Sequence, residues 1–368
     1  MAVALFAFII LVPNIVRDML GYVLSGQLSL KVFVELIVTL APFAITYALP
    51  MGLLTGVLLT LGRLSADSEI TAMRAAGIGI KRIAWPALAL ATMGVGLALY
   101  FNFEAMPHAR VNYERRFAEA VRSNPLNIIV PKTFIRDFSG FVIYVGDKQG
   151  DVLHDIWIWE LDDSRRVKRL DHAGSGRIER FDEATNSLIL RASDYLVEQR
   201  NPKDPERFVT PEPVGGGTGT GEIVLSLDRF FGHAGGVHIK QDWLTYSELQ
   251  VERARLAALP LPADQAAATQ ARRDRMKLEL VFQDKINMSL AVLSLALVGV
   301  PLGIRVSRRE TTANFAVAVA VAITYYLLTL TVKSLDRHPE YRPDLLLWLP
   351  NVLLLAWGGW LMSRIEKR

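Results

Sequence analysis

Five stretches of this chain contain no Asp, Glu, Lys or Arg: Leu36–Leu61, Ile83–Phe103, Ile286–Ile304, Thr311–Val332 and Leu345–Ser363. They run 26, 21, 19, 22 and 19 residues. A helix needs about 20 apolar residues to cross about 30 Å of hydrocarbon. The remaining charge is distributed to match. Residues 104–285 hold 54 of the 78 charged side chains, and the two flanks, of similar total length, hold 24. A soluble single domain does not divide in this way, so the flanks read as membrane and the middle as a soluble domain. The chain has no cysteine. That excludes a disulfide scaffold, a thiolate zinc site, a cysteine-ligated iron–sulfur cluster and a cysteine nucleophile. A net charge of +4 is too small to argue for nucleic acid.

A sixth apolar stretch, Met1–Val16, is only 16 residues long. It has no basic start and no small-residue cleavage site before Arg17, so it reads as a first span lacking its cytoplasmic beginning rather than as a signal peptide. With six spans, ten cations share one side: Arg63, Arg74, Lys81, Arg82, Arg305, Arg308, Arg309, Arg364, Lys367 and Arg368. The opposite short loops carry five: Arg17, Lys31, Lys333, Arg337 and Arg342. The positive-inside rule then places both termini in the cytoplasm and residues 104–285 outside.

In that middle region, Phe101 to Arg122 continues span three as a polar helix. Gly140–Val145, Asp155–Leu161, Ser187–Arg191, Tyr195–Gln199 and Glu222–Leu227 are short, β-branched and aromatic, with turn residues between them. The pattern predicts about eight strands in a sandwich or jelly roll. Ile156 and Ile158 alternate with Trp157 and Trp159, which gives one aliphatic and one aromatic face. Asn201–Gly221 reads as a loop. Thr245-Tyr-Ser-Glu248 has capping-box spacing; it opens a helix to about Leu259, and a second helix from Ala263 leads into span four.

The sequence completes no catalytic motif. Gly216 and Gly221 have phosphate-loop spacing, but Glu222 and Ile223 stand where Lys and Ser/Thr are needed. His233 and His238 with Asp242 lack a metal-site spacing. No GxSxG elbow occurs, and no span carries the paired acids of a proton relay. The expectation is a chain that is not itself an enzyme and has no nucleotide site of its own.

The segment Ser65–Gly79 is more informative. Ser65 is a candidate N-cap, with Asp67 and Glu69 in the first turn where the helix dipole favours acids. Ile70 and Met73 share a face beside Arg74, and Gly77 suits the terminator position. A helix of about 11 residues, 66–77, is expected between two spans. Acids in its first turn disfavour anionic lipid, so a protein partner suits it better than the bilayer surface.

The run Pro50–Gly77, with Val300-Pro-Leu-Gly303, Lys333-Ser334 and Trp348-Leu-Pro-Asn351, resembles the lipopolysaccharide-export permeases of the LptF/LptG (YjgP/YjgQ) family, and is more similar to the LptF member. The likeness implies six transmembrane helices plus an inserted periplasmic all-β, jellyroll-like domain. It implies transmembrane helices over 1–103 and 286–368, with 104–285 between them in the periplasm. It implies a sister six-helix permease, a cytoplasmic ATPase dimer that binds ATP and Mg, and a periplasmic bridge jellyroll protein. The substrate implied is lipopolysaccharide, in the bacterial inner membrane. Asp67, Glu69, Ile70, Met73 and Arg74 would couple to the ATPase. Arg17, Lys31, Lys285 and Lys333 would form a cationic rim for lipid phosphates. Ile156, Trp157, Ile158 and Trp159 would line the β-domain. Two features depart from the family. The basic stretch before span one is missing, and the Arg-rich start of span four reads Gln283-Asp284-Lys285. A permease for another lipid or lipoprotein, or a non-transporting scaffold, are the alternative readings.

Overall fold

The structure is a computed structural model. It describes residues 1–24, 30–123, 129, 131–135, 140–162, 166–182, 187–199, 220–226, 240–260, 262–305 and 311–366. The chain divides into two compact units. One, mainly helical, comprises Met1–Ile15, Ile37–Arg110 and Lys240–Arg368; the other comprises Val16–Leu36 and Val111–Ile239.

The helices follow the charge-free stretches. They are α1 (Ala2–Leu24), α2 (Leu30–Ala66), a short α3 (Glu69–Ala75), α4 (Ile80–Tyr100) and α5 (Met106–Ser123). After the sheet come α6 (Tyr246–Ala258), α7 (Gln265–Arg305), α8 (Thr311–Lys333), α9 (Pro343–Leu346) and α10 (Leu349–Glu366). Among the described residues, five helical segments are long and apolar enough to cross a membrane: Phe33–Ala66, Ile80–Arg116, Ala267–Ile304, Ala316–Asp336 and Pro343–Glu366. The apolar part of α1, Ala2–Pro13, is shorter.

Helix α7 is the hub of the helical unit. Ala291, Val292, Leu295, Ala296, Val298 and Val300 on it are wholly buried. Small residues let its neighbours approach, as membrane helices require. A Cβ on Gly94 of α4 would stand 2.9 Å from Val292. One on Gly299 would meet Leu54, and one on Gly303 would meet Leu61, both on α2. Gly358 of α10 closes on Leu297 in the same way. Where α4 gives way to α5, the backbone loosens into a π-helical turn, Phe101–Ala105. There Asn102 Nδ2 donates to the Ala98 carbonyl (2.9 Å) and to Ser289 Oγ on α7 (3.1 Å).

Helix α6 begins as the Thr245–Glu248 spacing predicts. Glu248 N–H donates to Thr245 Oγ1 and Thr245 N–H donates to Glu248 Oε2, which completes the capping box. The Thr245 N–H and hydroxyl hold the Glu248 carboxyl below the usual glutamate range. A depressed pKa stabilises the fold above the ordinary carboxylate value and ceases to do so as pH falls through the folded value. Thr245→Ala is therefore expected to cost about 1 kcal/mol at neutral pH. Thermal unfolding of the detergent-solubilised protein at pH 7 and at pH 3.5 checks it, with a smaller difference expected at the acid pH.

The second unit holds one six-stranded antiparallel sheet in sequential order. Its strands are β1 (Phe134–Ile135), β2 (Phe141–Gln149), β3 (Val152–Leu161), β4 (Val167–Asp182), β5 (Ser187–Gln199) and β6 (Gly221–Ser226). The two segments expected at Ser187–Arg191 and Tyr195–Gln199 are one strand, β5, with Asp194 at φ 54° between them. Asp155 on β3 has the same left-handed backbone. In both places a glycine on the neighbouring strand makes room. A Cβ on Gly146 would lie 2.9 Å from Asp155, and one on Gly174 would lie 3.1 Å from Asp194. The expected loop Asn201–Gly221 falls mostly outside the described residues.

The sheet buries one face. Ile143, Val145, Ile156, Ile158, Ala173, Leu190, Ala192 and Ile223 form its core with Ile129, Ile135 and Leu153. Alternation along the strand puts Trp157 and Trp159 on the other face. Their rings lie 6.2 Å apart, and Trp157 stacks on His172 across the strand pair at 4.0 Å.

Candidate coupling helix and cationic residues

The segment joining α2 to α4 is built differently from its sequence-based expectation. Ser65 is not an N-cap. Helix α2 continues through Ala66, and Ser65 Oγ donates to the Ile304 carbonyl at the end of α7 (2.9 Å). The chain turns at Ser68, which has left-handed backbone (φ 60°) and makes no side-chain cap. Helix α3 is consequently seven residues long, not about 11. Its far end matches the expected terminator. Gly77 sits at φ 84°, Ile78 N–H donates to the Met73 carbonyl, and Gly77 N–H donates to the Arg74 carbonyl. This pair of bonds is a Schellman motif.

Asp67, Glu69 and Arg74 are exposed, Met73 is half-buried, and Ile70 is buried at 4% exposure. Ile70 is therefore the residue that seats α3 on its own chain, and the charged residues form its outward surface. Arg63 stands 3.9 Å from Asp67, an exposed i,i+4 pair worth a few tenths of a kcal/mol at most.

The four expected rim cations have different surroundings. Lys31 is exposed in the first turn of α2. The Arg17 side chain lies outside the described residues. Lys333, at the end of α8, donates to Asp284 Oδ2 at 2.6 Å, and the other Asp284 oxygen is buried with no partner among the described residues. Lys285 departs most from the exposed position expected of a rim cation. It is 5% exposed, and its Nζ donates to the carbonyls of Asn102 (2.8 Å) and Leu244 (3.2 Å). The π-helical turn frees the Asn102 carbonyl from a regular α-helical bond, and the ammonium satisfies it. Lys285→Met is expected to leave both carbonyls unpaired and to destabilise the protein by about 3 kcal/mol. A thermal melt of the purified protein measures this.

Sequence reasoning missed a buried polar contact beside these residues. Asn351 on α10, fully buried, donates to the Asn287 carbonyl (3.0 Å) and to Asn287 Oδ1 (2.9 Å) on α7. Tyr325 on α8 donates to the same carbonyl. The signal was available as isolated amides within charge-free runs, since a buried amide needs partners.

The four residues expected to line the β-domain do not share a face. Ile156 and Ile158 belong to the buried core, and Trp157 and Trp159 stand opposite. Within the core, Asp171 is 4% exposed and accepts from Arg169 Nε (2.9 Å) and Tyr195 Oη (2.8 Å). Burial, and after it the bond to Asp171, pushes the Tyr195 phenol up to about 12.

Long apolar helices joined to a separate antiparallel sheet unit define a multi-pass membrane protein with a folded domain inserted between its spans. The sequence matches the family described as "Lipopolysaccharide export system permease LptF/LptG" over residues 1–364. The chain belongs to that lipopolysaccharide-export permease family, whose members are inner-membrane permease subunits of ABC transporters. It is similar to the lipopolysaccharide export system permease protein LptF of Escherichia coli (strain K12) and to that of Shigella flexneri. Each is 22% identical over 345 residues, covering 92% of this chain and 84% of the relative.

Proposed function

We propose that this chain is the LptF-type permease subunit of an ATP-driven transporter that extracts lipopolysaccharide from the inner membrane for delivery to the outer membrane. In this reading it has six spans, counting α1, and both termini are cytoplasmic. The β unit lies in the periplasm as a jellyroll-like domain. A sister permease, a cytoplasmic ATPase dimer and a periplasmic bridge protein complete the machine, and ATP and Mg are bound by the ATPase. The observation that carries the reading is the family match over nearly the whole chain.

In this reading the residues divide the work. Asp67, Glu69 and Arg74 meet the ATPase, and Ile70 anchors α3 so that ATPase closure moves the ends of α2 and α4. Arg17, Lys31 and Lys333 face lipid phosphates. Asp284 pairs with Lys333 at 2.6 Å, and a lipid phosphate, itself an anion, competes for the same ammonium. Lys285 has a structural role. The aliphatic face with Ile156 and Ile158 receives acyl chains.

Purification of the chain with its native companions, followed by mass spectrometry of bound lipid and protein, tests this. Lipopolysaccharide and an ATPase are expected. Recovery of a different lipid would redirect the substrate assignment, and recovery with no ATPase would end the transport reading.

A further inference from the structure

The helical unit contains a groove of about 760 Å³ walled by α6, α7 and the turn before α9. Four arginines line it, Arg253, Arg272, Arg275 and Arg342, against two acids, Glu279 and Asp344. The sequence places them there by helical spacing. Arg272, Arg275 and Glu279 recur at i, i+3 and i+7 on α7. Arg342 is brought in by its left-handed backbone (φ 48°) just before α9.

Two of the arginines are neutralised. Arg253 pairs with Glu279 at 2.8 Å, and Arg342 donates to both oxygens of Asp344 at 3.1 and 2.9 Å. The other two have no acid partner among the described residues. Arg275 donates only to the Leu259 carbonyl, and exposed Arg272 has no hydrogen bond or ion pair among the described residues. Like charges three residues apart on a helix repel. Both retain donors in the planar fork that matches a phosphate. The groove also has an apolar floor, with Leu256 and Leu278. Its volume falls in the range of small-molecule sites.

Its position narrows the ligand. Glu279 lies seven residues before the charge-free stretch of α7, about 10 Å along the helix. Asp344 immediately precedes the last charge-free stretch. The end of the groove at Asp344 thus borders the hydrocarbon, whereas Arg275 and Arg272, 11 and 14 residues before the charge-free stretch of α7, stand about 16 and 21 Å from it along the helix, clear of the headgroup layer.

We propose that this groove binds a phosphate group carried by an amphiphile, with Arg272 and Arg275 as its ligands and the apolar floor beneath its carbon chain. The site is separate from the Arg17, Lys31 and Lys333 rim. It does not depend on the transport reading, because binding is measured without ATP hydrolysis.

Calorimetric titration of the purified full-length protein in its complex tests this, using dihexanoyl phosphatidic acid, dihexanoylglycerol and inorganic phosphate as probes. Saturable binding of phosphatidic acid is expected, with at least tenfold weakening in an Arg272→Gln/Arg275→Gln variant. Ala257→Trp fills the groove from an exposed position and keeps every arginine; the same loss is expected. That variant decides the matter if the double substitution fails to fold. Inorganic phosphate binding as tightly as phosphatidic acid would show that the apolar floor adds nothing and would overturn the amphiphile assignment. Equal binding of dihexanoylglycerol, or wild-type affinity in Ala257→Trp, would overturn the proposal. Because Lys333 is itself assigned to lipid phosphate, the titrations are repeated in a Lys333→Met background; loss of all phosphatidic acid binding there would place the phosphate at the rim and also overturn the proposal.

Discussion

Gly358→Val is expected to remove the folded protein from the membrane, whereas Gly359→Val, one residue on, is expected to be tolerated. A Cβ at Gly358 would stand 3.0 Å from Leu297 Cγ and 3.1 Å from the Leu297 carbonyl carbon and the Val298 nitrogen. Two of those three atoms are backbone inside α7, so no rotamer change relieves the contact. The whole of α10 must move away instead. Overpacking a core commonly costs 1–3 kcal/mol, and a backbone contact lies at the upper end, about 3 kcal/mol. A Cβ at Gly359 meets nothing within 4 Å. Membrane-fraction immunoblots and melting of the solubilised protein compare the two. Equal levels and equal melting temperatures would mean that α10 does not pack on α7 through Gly358.

Reversing charge on α3 is the second large effect. Glu69→Lys is expected to lower ATP-driven export at least tenfold while the protein stays folded and inserted. Glu69 is exposed, so its replacement disturbs no core. Ile70→Ala separates anchoring from contact. Ile70 is buried, and its truncation is expected to cost about 2–3 kcal/mol of stability. Reconstituted transport and melting temperature, measured on both variants, should move in opposite patterns. A Glu69→Lys protein with normal export would remove α3 from the coupling scheme.

The spans were legible because lipid excludes charge over a fixed thickness, a constraint written in consecutive residues. The capping box at Thr245 and the terminator at Gly77 were legible because their bonds close within a few positions. Ser65 misled because a serine before two acids suits either a cap or the last turn of a preceding helix. The acceptor that decides it, Ile304, is 239 residues away. The burial of Lys285 was hidden for the same reason, since its carbonyl partners lie 183 and 41 residues away. Strand β4 was missed because charges fall on both of its faces: Arg169 and Asp171 alternate with Lys168 and Leu170. The left-handed aspartates at 155 and 194 carry no period of their own. Their clue is a glycine on the adjacent strand, which only the pairing register reveals.

Helix α7 runs unbroken for 41 residues, with one proline, Pro301, in its last turns. That is about 60 Å, twice the hydrocarbon thickness. A rod of this length acts as a lever: a tilt of about 5° about one end displaces the other by about 5 Å, given the rise per residue. Its Ile304 end is fastened to Ser65, two residues from the beginning of the α2–α3 turn. In the proposed coupling scheme, a push beside α3 that tilted α7 by that angle would move its Gln265 end by about one turn of helix.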